Sequence, residues 1–152
     1  MQLSELYAKY PRPLVDLLYL DDSETTDWEW CVSDEDRVEE FIDFYITMPL
    51  NDNDKMSLMM IIIDSYNSRV WNHGFSNDTW ENISNLIKEN ILFFKEQIIY
   101  WSSMDHNDDE MDDAWAIAAN MRILLRNLNE NSYLTDEDIE DWCNDAKMDI
   151  FD

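Results

Sequence analysis

Hydrophobic residues recur along most of the chain at the three- and four-residue spacing of amphipathic helices. The longest such stripe runs from Trp80 to Trp101 and predicts one long helix that starts near Ser76 or Asn77. Residues 55–71 are apolar on more than one face, which predicts a central buried helix. Shorter stripes predict a helix before Pro11, one after Pro13, one ending near Pro49, one behind residues 105–113 and one from Ile139 toward Ile150.

Polar residues between these stripes predict where helices begin and end. The expected signals are capping boxes formed by Ser33 with Asp36 and by Thr135 with Asp138, a polar N-cap within residues 51–54, and a C-cap at Gly74. In the connection before Ser33, Trp28, Trp30 and Val32 alternate with polar positions, which is also compatible with a short extended segment near residues 28–32.

The composition favours helices over sheets. There is one glycine and there are three prolines in 152 residues, whereas sheets with many tight turns need more residues that tolerate positive φ. At 45% hydrophobic and 13% aromatic residues the chain can bury a core, unlike a disordered acidic tail. The predicted fold is therefore all-α, a single domain over residues 1–152 with a bundle of five or six helices.

Charge adds the first indication of function. The formal net charge is −25, and the acids are concentrated in residues 21–54 and 105–152 on either side of a nearly neutral centre. A magnitude of ~2–8 is enough to keep a small domain soluble, and a larger charge destabilises the compact state by self-repulsion. The excess predicts a surface for a basic partner. The alternative is that both acidic segments are simply solvated helix faces and loops. Within residues 105–128, acids before the helix and Arg122 and Arg126 within it also suit the helix dipole.

The cellular setting is predicted to be cytoplasmic and reducing. Cys31 and Cys143 are far apart in sequence, so they are expected to be free thiols that behave as small buried hydrophobes. The first residues lack a basic region followed by an apolar run, so no signal peptide is predicted. The longest apolar run, residues 59–63, is too short to cross a bilayer, and no membrane partner is expected.

Residue patterns typical of catalysis or of cofactor binding are missing. His73 and His106 stand outside any metal-binding motif, and His73 is expected to be a helix C-terminal residue. Residues 105–116 resemble a calcium loop only in part, because Glu110 replaces the glycine and Ala116 replaces the bidentate glutamate. Ten basic residues against 35 acids disfavour direct nucleic-acid binding. No catalytic residue, metal ligand or cofactor is predicted.

One enzymatic alternative remains, a helical magnesium-dependent nucleotide hydrolase. Such enzymes hold Mg²⁺ against phosphates with carboxylates from facing helices. Glu40 with Asp43, or Glu110 with Asp113, has the required helical spacing, although pairs of this kind also arise by chance among 35 acids.

The function predicted first is that of a non-enzymatic acidic inhibitor. Carboxylates three and four residues apart on a helix lie ~5–6 Å apart, so an acidic helix face can imitate the charge of a nucleic-acid backbone. Such a protein can occupy the basic groove of a nuclease or another nucleic-acid-binding protein. In size, charge and helicity the chain is similar to immunity proteins and antitoxins directed against nuclease toxins. The alternatives are a DNA mimic of the anti-restriction or anti-CRISPR kind that blocks a host defence complex, and an adaptor that binds a basic tail.

The predicted partner-binding residues are the acids of both charged segments together with two tryptophans. Trp28 and Trp30 are flanked by acids and would serve as interface anchors, which favours the tight one-to-one inhibitor over the pure charge mimic. The opposing interpretation is that both tryptophans cap the core. The complete set is Asp21, Asp22, Glu24, Asp27, Trp28, Glu29, Trp30, Asp34, Glu35, Asp36, Asp108, Asp109, Glu110, Asp112 and Asp113.

Overall fold

The computed structural model describes residues 1–21, 28–106 and 114–151, and every regular element in these ranges is helical. The all-α prediction is therefore confirmed. The helices, in chain order, are α1 (Leu3–Lys9), α2 (Pro13–Leu18), α3 (Trp28–Cys31), a 3-10 helix (Glu35–Arg37), α4 (Val38–Thr47), α5 (Asp52–His73), α6 (Asn77–Glu89), α7 (Lys95–Trp101), α8 (Ala118–Glu130), α9 (Asp136–Ile139) and α10 (Asn144–Phe151).

The chain divides into two compact units, Met1–Thr79 and Trp80–Asp152. Each has its own set of buried apolar side chains, as expected of a structure that buries helix faces against one another. The single domain over residues 1–152 stays a prediction.

The first unit is built around α5. Leu58, Met59, Tyr66 and the three isoleucines at 61–63 are fully buried, so α5 is the central buried helix that the sequence predicts. Helix α3, the 3-10 helix and α4 all pack against it. Helix α4 contributes Val38, Phe41 and other apolar residues from one face and leaves its acids on the other, as an amphipathic helix does.

Both ends of α5 carry the predicted caps. The Asn51 side chain accepts a hydrogen bond from the Asp54 N–H at 2.9 Å. At the other end the Gly74 N–H donates to Val70 O at 2.9 Å, and Gly74 has a φ of 94°, which only glycine adopts without strain. His73 is the last residue of the helix, as predicted.

In the second unit, α7 packs on α8 and α8 packs on α10. The buried side chains include Ile98 and Trp101 of α7 and Leu125 of α8. The predicted capping box at the start of α9 is present: Thr135 Oγ1 accepts from the Asp138 N–H at 3.2 Å, and the Asp138 carboxylate accepts from the Thr135 N–H at 2.8 Å.

The predicted count of five or six helices is too low, since ten α-helices lie in the described residues. Several helices have only four to seven residues, too few to produce a recognisable period, and tertiary packing stabilises them instead. The long helix predicted up to Trp101 is interrupted between Glu89 and Lys95. The prediction of an extended segment near residues 28–32 is also wrong, because Trp28–Cys31 form helix α3.

Three local predictions are also wrong. The Ser33 hydroxyl donates to Asp64 instead of capping a helix, and Asp34 caps the 3-10 helix. Helix α8 has no acid in its first turn and no base in its last, so the predicted dipole arrangement does not apply. Cys31 is exposed and not a small buried hydrophobe, while Cys143 is partly buried, and both are free thiols.

Among the helices of the described ranges, none has the length and apolar character needed to cross a membrane.

Candidate functional site

Seven of the predicted partner-binding residues lie in the first unit, and eight fall outside the described residues. The seven are Asp21, Trp28, Glu29, Trp30, Asp34, Glu35 and Asp36. The predictions for Asp22, Glu24, Asp27, Asp108, Asp109, Glu110, Asp112 and Asp113 concern residues that the structure does not describe.

A group of exposed acids lies on the outer face of the 3-10 helix and α4, here named the helix-4 face. It comprises Asp36, Glu39, Glu40 and Asp43, all of which are exposed. These residues are three or four positions apart and therefore neighbour one another on the helix surface, while the opposite side of α4 is buried. Glu39, Glu40 and Asp43 extend the predicted site beyond Asp36.

Two arginines offset part of this charge. Arg37 donates to both carboxylate oxygens of Glu40, at 2.8 and 2.7 Å, and to Leu18 O at 2.8 Å. Arg69 of α5 forms a two-bond pair with Glu39 and also donates to Glu35 O at 2.9 and 2.6 Å. These hydrogen bonds hold the pKa values of Glu39 and Glu40 below their ordinary range. Both carboxylates stay ionised at neutral pH.

Glu35 lies beside the C-terminal end of α5. The Asn72 amide donates to Glu35 Oε2 at 2.8 Å, and His73 Nε2 lies 3.0 Å from Glu35 Oε1. The Asn72 hydrogen bond and, after it, the His73 contact lower the pKa of Glu35. Its role within the unit is thus to attach the 3-10 helix to the end of α5.

Asp36 and Asp43 remain as the carboxylates of the helix-4 face that form no ion pair within the described ranges. The Glu39 hydrogen bond is the main cause that raises the pKa of Arg69, and the charge of Asp36 adds to it. The guanidinium itself is bonded to Glu35 and Glu39. The face therefore keeps a negative excess after its internal pairs are formed.

Trp28 and Trp30 are partly buried in the first unit, because α3 packs against α5. Glu29, between them, accepts a hydrogen bond from the Ser57 hydroxyl at 3.1 Å. Trp28 also lines a small cavity of about 180 Å³ together with Arg12 and Asn51. Their proposed role as anchors stays a prediction.

A more exposed tryptophan, Trp71, is not among the predicted partner-binding residues. Trp71 has 68% of its surface exposed and directly precedes Asn72, whose amide contacts Glu35. No local sign of this is visible in the sequence, since residues 55–71 are apolar on more than one face. A large aromatic at that position is available to a partner at the end of α5 where Glu35 lies.

The second unit holds a cleft that also escaped prediction. It has a volume of about 440 Å³, and its lining combines aromatic rings with carboxylates. The lining residues are Ile99, Tyr100, Ser103, Met104, Asp105, His106, Trp115, Glu137, Asp138, Asp141 and Trp142. Trp115 precedes α8 and is 41% exposed.

A buried arginine fixes one wall of this cleft. Arg122 of α8 is 3% exposed and donates to Ser102 O at 2.8 Å, Ser103 O at 2.9 Å and His106 O at 3.2 Å. The Cys143 N–H donates to Met104 O at 2.9 Å. These bonds join the turn after α7 to α8 and to the start of α10, so the cleft is held by backbone contacts from several elements.

The carboxylates of the cleft differ in their partners. Lys95 Nζ lies 2.7 Å from Asp138 Oδ2, and although burial acts to raise the pKa of Asp138, the hydrogen bonds from Lys95 and Thr135 outweigh it and lower the pKa. Asp105 lies 2.9 Å from His106 Nδ1. Glu137 and Asp141 are exposed and form no ion pair among the described residues.

Groups of three or more side chains with metal-ligand chemistry do not occur in the part of the chain that the structure describes. Of the two carboxylate pairs named for the hydrolase alternative, Glu110 and Asp113 lie outside the described residues. In the other pair Glu40 is bonded to Arg37, and Asp43 is exposed.

No protein-family model, no curated protein and no solved structure matches this chain.

Proposed function

We propose that the chain is a non-enzymatic acidic inhibitor that binds and blocks a basic nucleic-acid-processing protein, as an immunity protein or antitoxin against a nuclease toxin does. The observation that carries the proposal is the helix-4 face, where acids outnumber the arginines that contact them and where Asp36 and Asp43 have no ion-pair partner among the described residues. A basic surface would supply the missing counter-charge, and steering between opposite charges would speed its association.

The internal ion pairs support an ordered binding surface. Arg37 and Arg69 fix Glu40 and Glu39 through two-bond pairs and reach backbone carbonyls as well. A surface whose side chains are already held loses less conformational entropy on binding. Such preorganisation suits one cognate partner.

A one-to-one inhibitor and a DNA mimic differ in whether aromatic residues contribute to binding. A one-to-one inhibitor needs desolvated anchors, and Trp71, Trp28 and Trp30 lie in the same unit as the helix-4 face. A DNA mimic would rely on the carboxylates alone. The DNA-mimic alternative, an adaptor for a basic tail and the cytoplasmic location are also proposals.

The first experiment captures partners from the native host's lysate on the tagged protein, with washes at low and then high salt. One small basic nuclease retained at high salt supports the inhibitor, because desolvated anchors do not depend on charge screening. A large nucleic-acid-handling complex that is displaced by added DNA supports the mimic. A partner that handles no nucleic acid contradicts both and favours the adaptor.

The Trp28→Ala variant separates an interface role from a core role. If Trp28 is an anchor, the affinity for the captured partner should fall by a factor of about 30 or more, as hot-spot residues contribute about 2 kcal/mol or more. The free energy of unfolding, measured by thermal melting, should fall by much less than the free energy of binding. An equal loss of affinity and of stability would show that Trp28 serves the core.

The hydrolase alternative has its own test. Wild-type protein with Mg²⁺ would be assayed against nucleoside triphosphates and diphosphates, together with the Glu40→Gln and Asp43→Asn variants. We expect no turnover by the wild type. Hydrolysis that both variants abolish would contradict the non-enzymatic proposal.

A further inference from the structure

We propose that the aromatic and acidic cleft of the second unit binds the side chain of an arginine presented by the basic partner. In naming the partner's group this inference rests on the proposed function, but the cleft chemistry can be tested without that partner. The cleft is the set of eleven residues defined above, with a volume of about 440 Å³.

The aromatic residues suit a flat cation with an apolar stem. Tyr100 and Trp115 are 50% and 41% exposed, their ring centroids are 5.7 Å apart and their planes are inclined by 32°. Trp115 also contacts the buried ring of Trp101 at 5.0 Å, so its position is fixed from behind. A guanidinium stacks on exposed rings of this kind, whereas an ammonium is more strongly hydrated and gains less.

The carboxylates supply the complementary charge. Asp138 is neutralised by Lys95, and Asp105 is near His106, but Glu137 and Asp141 have no ion-pair partner among the described residues. Among the residues that the structure describes, no arginine or lysine lines the cleft. An incoming guanidinium could therefore donate its N–H groups to these carboxylates, and such charge-assisted pairs are stronger for arginine than for lysine.

The cleft is also held in place before any ligand arrives. Arg122 binds three carbonyls of residues 102–106, and the Thr135 and Asp138 capping box fixes the segment that carries Glu137. This rigidity limits the entropy lost on binding. It also distinguishes the cleft from an acidic cluster on a mobile surface.

The test uses NMR titration of ¹⁵N-labelled protein with three capped tripeptides, Gly-Arg-Gly, Gly-Lys-Gly and Gly-citrulline-Gly. The arginine peptide should shift the indole N–H signals of Trp115 and Trp142 and the amides of residues 103–106, with saturation. The lysine peptide should bind several-fold more weakly, and the uncharged citrulline peptide should not bind. The indole signals are assigned with Trp115→Phe and Trp142→Phe.

A charge-matched pair of variants separates the cleft from general attraction to an acidic protein. Glu137→Gln with Asp141→Asn should weaken the arginine peptide about tenfold, because it removes charge-assisted hydrogen bonds. The control, Glu130→Gln with Asp145→Asn, removes the same charge from exposed positions outside the cleft lining and should leave the affinity nearly unchanged.

Shifts spread over the whole acidic surface, or equal losses in the two double variants, would overturn the proposal. Stronger binding of the lysine peptide would also overturn it. The result is separable from the proposed function. If the arginine peptide binds but no nuclease is inhibited, the arginine-binding cleft is supported and the inhibitor function is refuted. If a nuclease is inhibited but the peptide does not bind, the inhibitor function is supported and the arginine-binding cleft is refuted.

Discussion

Replacing Arg122 by methionine should destabilise the second unit more than the same replacement of Arg126, the other arginine of α8. Arg122 is 3% exposed and donates to three backbone carbonyls, at 2.8, 2.9 and 3.2 Å. Methionine has a similar length but no donor, so the variant removes all three bonds. Of the three carbonyls, Ser103 O keeps the His106 N–H as a donor at 2.9 Å. The turn at residues 102–106 should lose its attachment to α8.

The size of the effect follows from these contacts. Each hydrogen bond to a charged donor contributes about 1.5–3 kcal/mol net, and a buried carbonyl left without a partner costs about 1–3 kcal/mol. The three bonds are not additive, because Ser103 O keeps another donor and carbonyls near the surface regain water. We expect the free energy of unfolding to fall by about 3–5 kcal/mol.

Arg126→Met is the matched control. It stands one turn further along the same helix, its side chain is 43% exposed, and it contacts Asp149 O and Asp149 Oδ1 at 2.6 and 2.7 Å. The substitution removes the same positive charge, so the change in self-repulsion is shared by both variants. An exposed pair of this kind is worth about 0–1 kcal/mol.

The assay is urea unfolding followed by far-UV circular dichroism and by tryptophan fluorescence. Near-equal losses for the two variants would refute the role assigned to Arg122. So would a loss below about 1 kcal/mol for Arg122→Met, since that value is usual for a surface pair.

Three further predictions concern the charges. The Tm should rise with NaCl, because salt screens repulsion within about 8–10 Å near physiological ionic strength, and a flat or falling trend in thermal melts would mean that the charges are already compensated. Burial raises the pKa of Asp64, so its ionised form destabilises the fold and Asp64→Asn should raise the Tm at pH 7. The difference in Tm between the variant and the wild type should shrink as the pH falls through the folded pKa toward 3.8, and a lower Tm for the variant at pH 7 would contradict this. The Arg69 hydrogen bond lowers the pKa of Glu39, so above pH 4.5 Glu39→Gln should lose up to about 1 kcal/mol of unfolding free energy relative to the exposed Glu5→Gln control. This difference should disappear as the pH falls through the folded pKa of Glu39, and a difference that persists in acid would contradict the assignment.

The helical class and several helix ends could be predicted because they depend on local sequence. Asn51, Gly74 and the Thr135–Asp138 pair act on the backbone within a few residues, and the apolar segment of α5 is long enough to predict a buried helix. The short helices could not be predicted in this way. Trp28–Cys31 alternate like a strand yet form α3, because packing against α5 decides their conformation.

The candidate surfaces were predictable only in part for a similar reason. Asp36 belongs to a visible run of acids, but its neighbours Arg37 and Glu40 are paired, and Arg69 reaches Glu39 from a helix 30 residues away. The cleft joins Tyr100, Trp115 and Glu137, which no local pattern connects. Contacts at such sequence separations are set by the packing of helices.

The most direct test of the central claim is inhibition of the captured nuclease by matched variants. The nuclease would be titrated with wild type, with Asp36→Asn plus Asp43→Asn, and with the control Glu5→Gln plus Asp16→Asn, which removes two exposed acids outside the helix-4 face. We predict stoichiometric inhibition by the wild type and the control, and inhibition at least about tenfold weaker for the helix-4 variant, the loss expected for two charge-assisted contacts. Equal inhibition by all three proteins, or no inhibition by the wild type, would contradict the account.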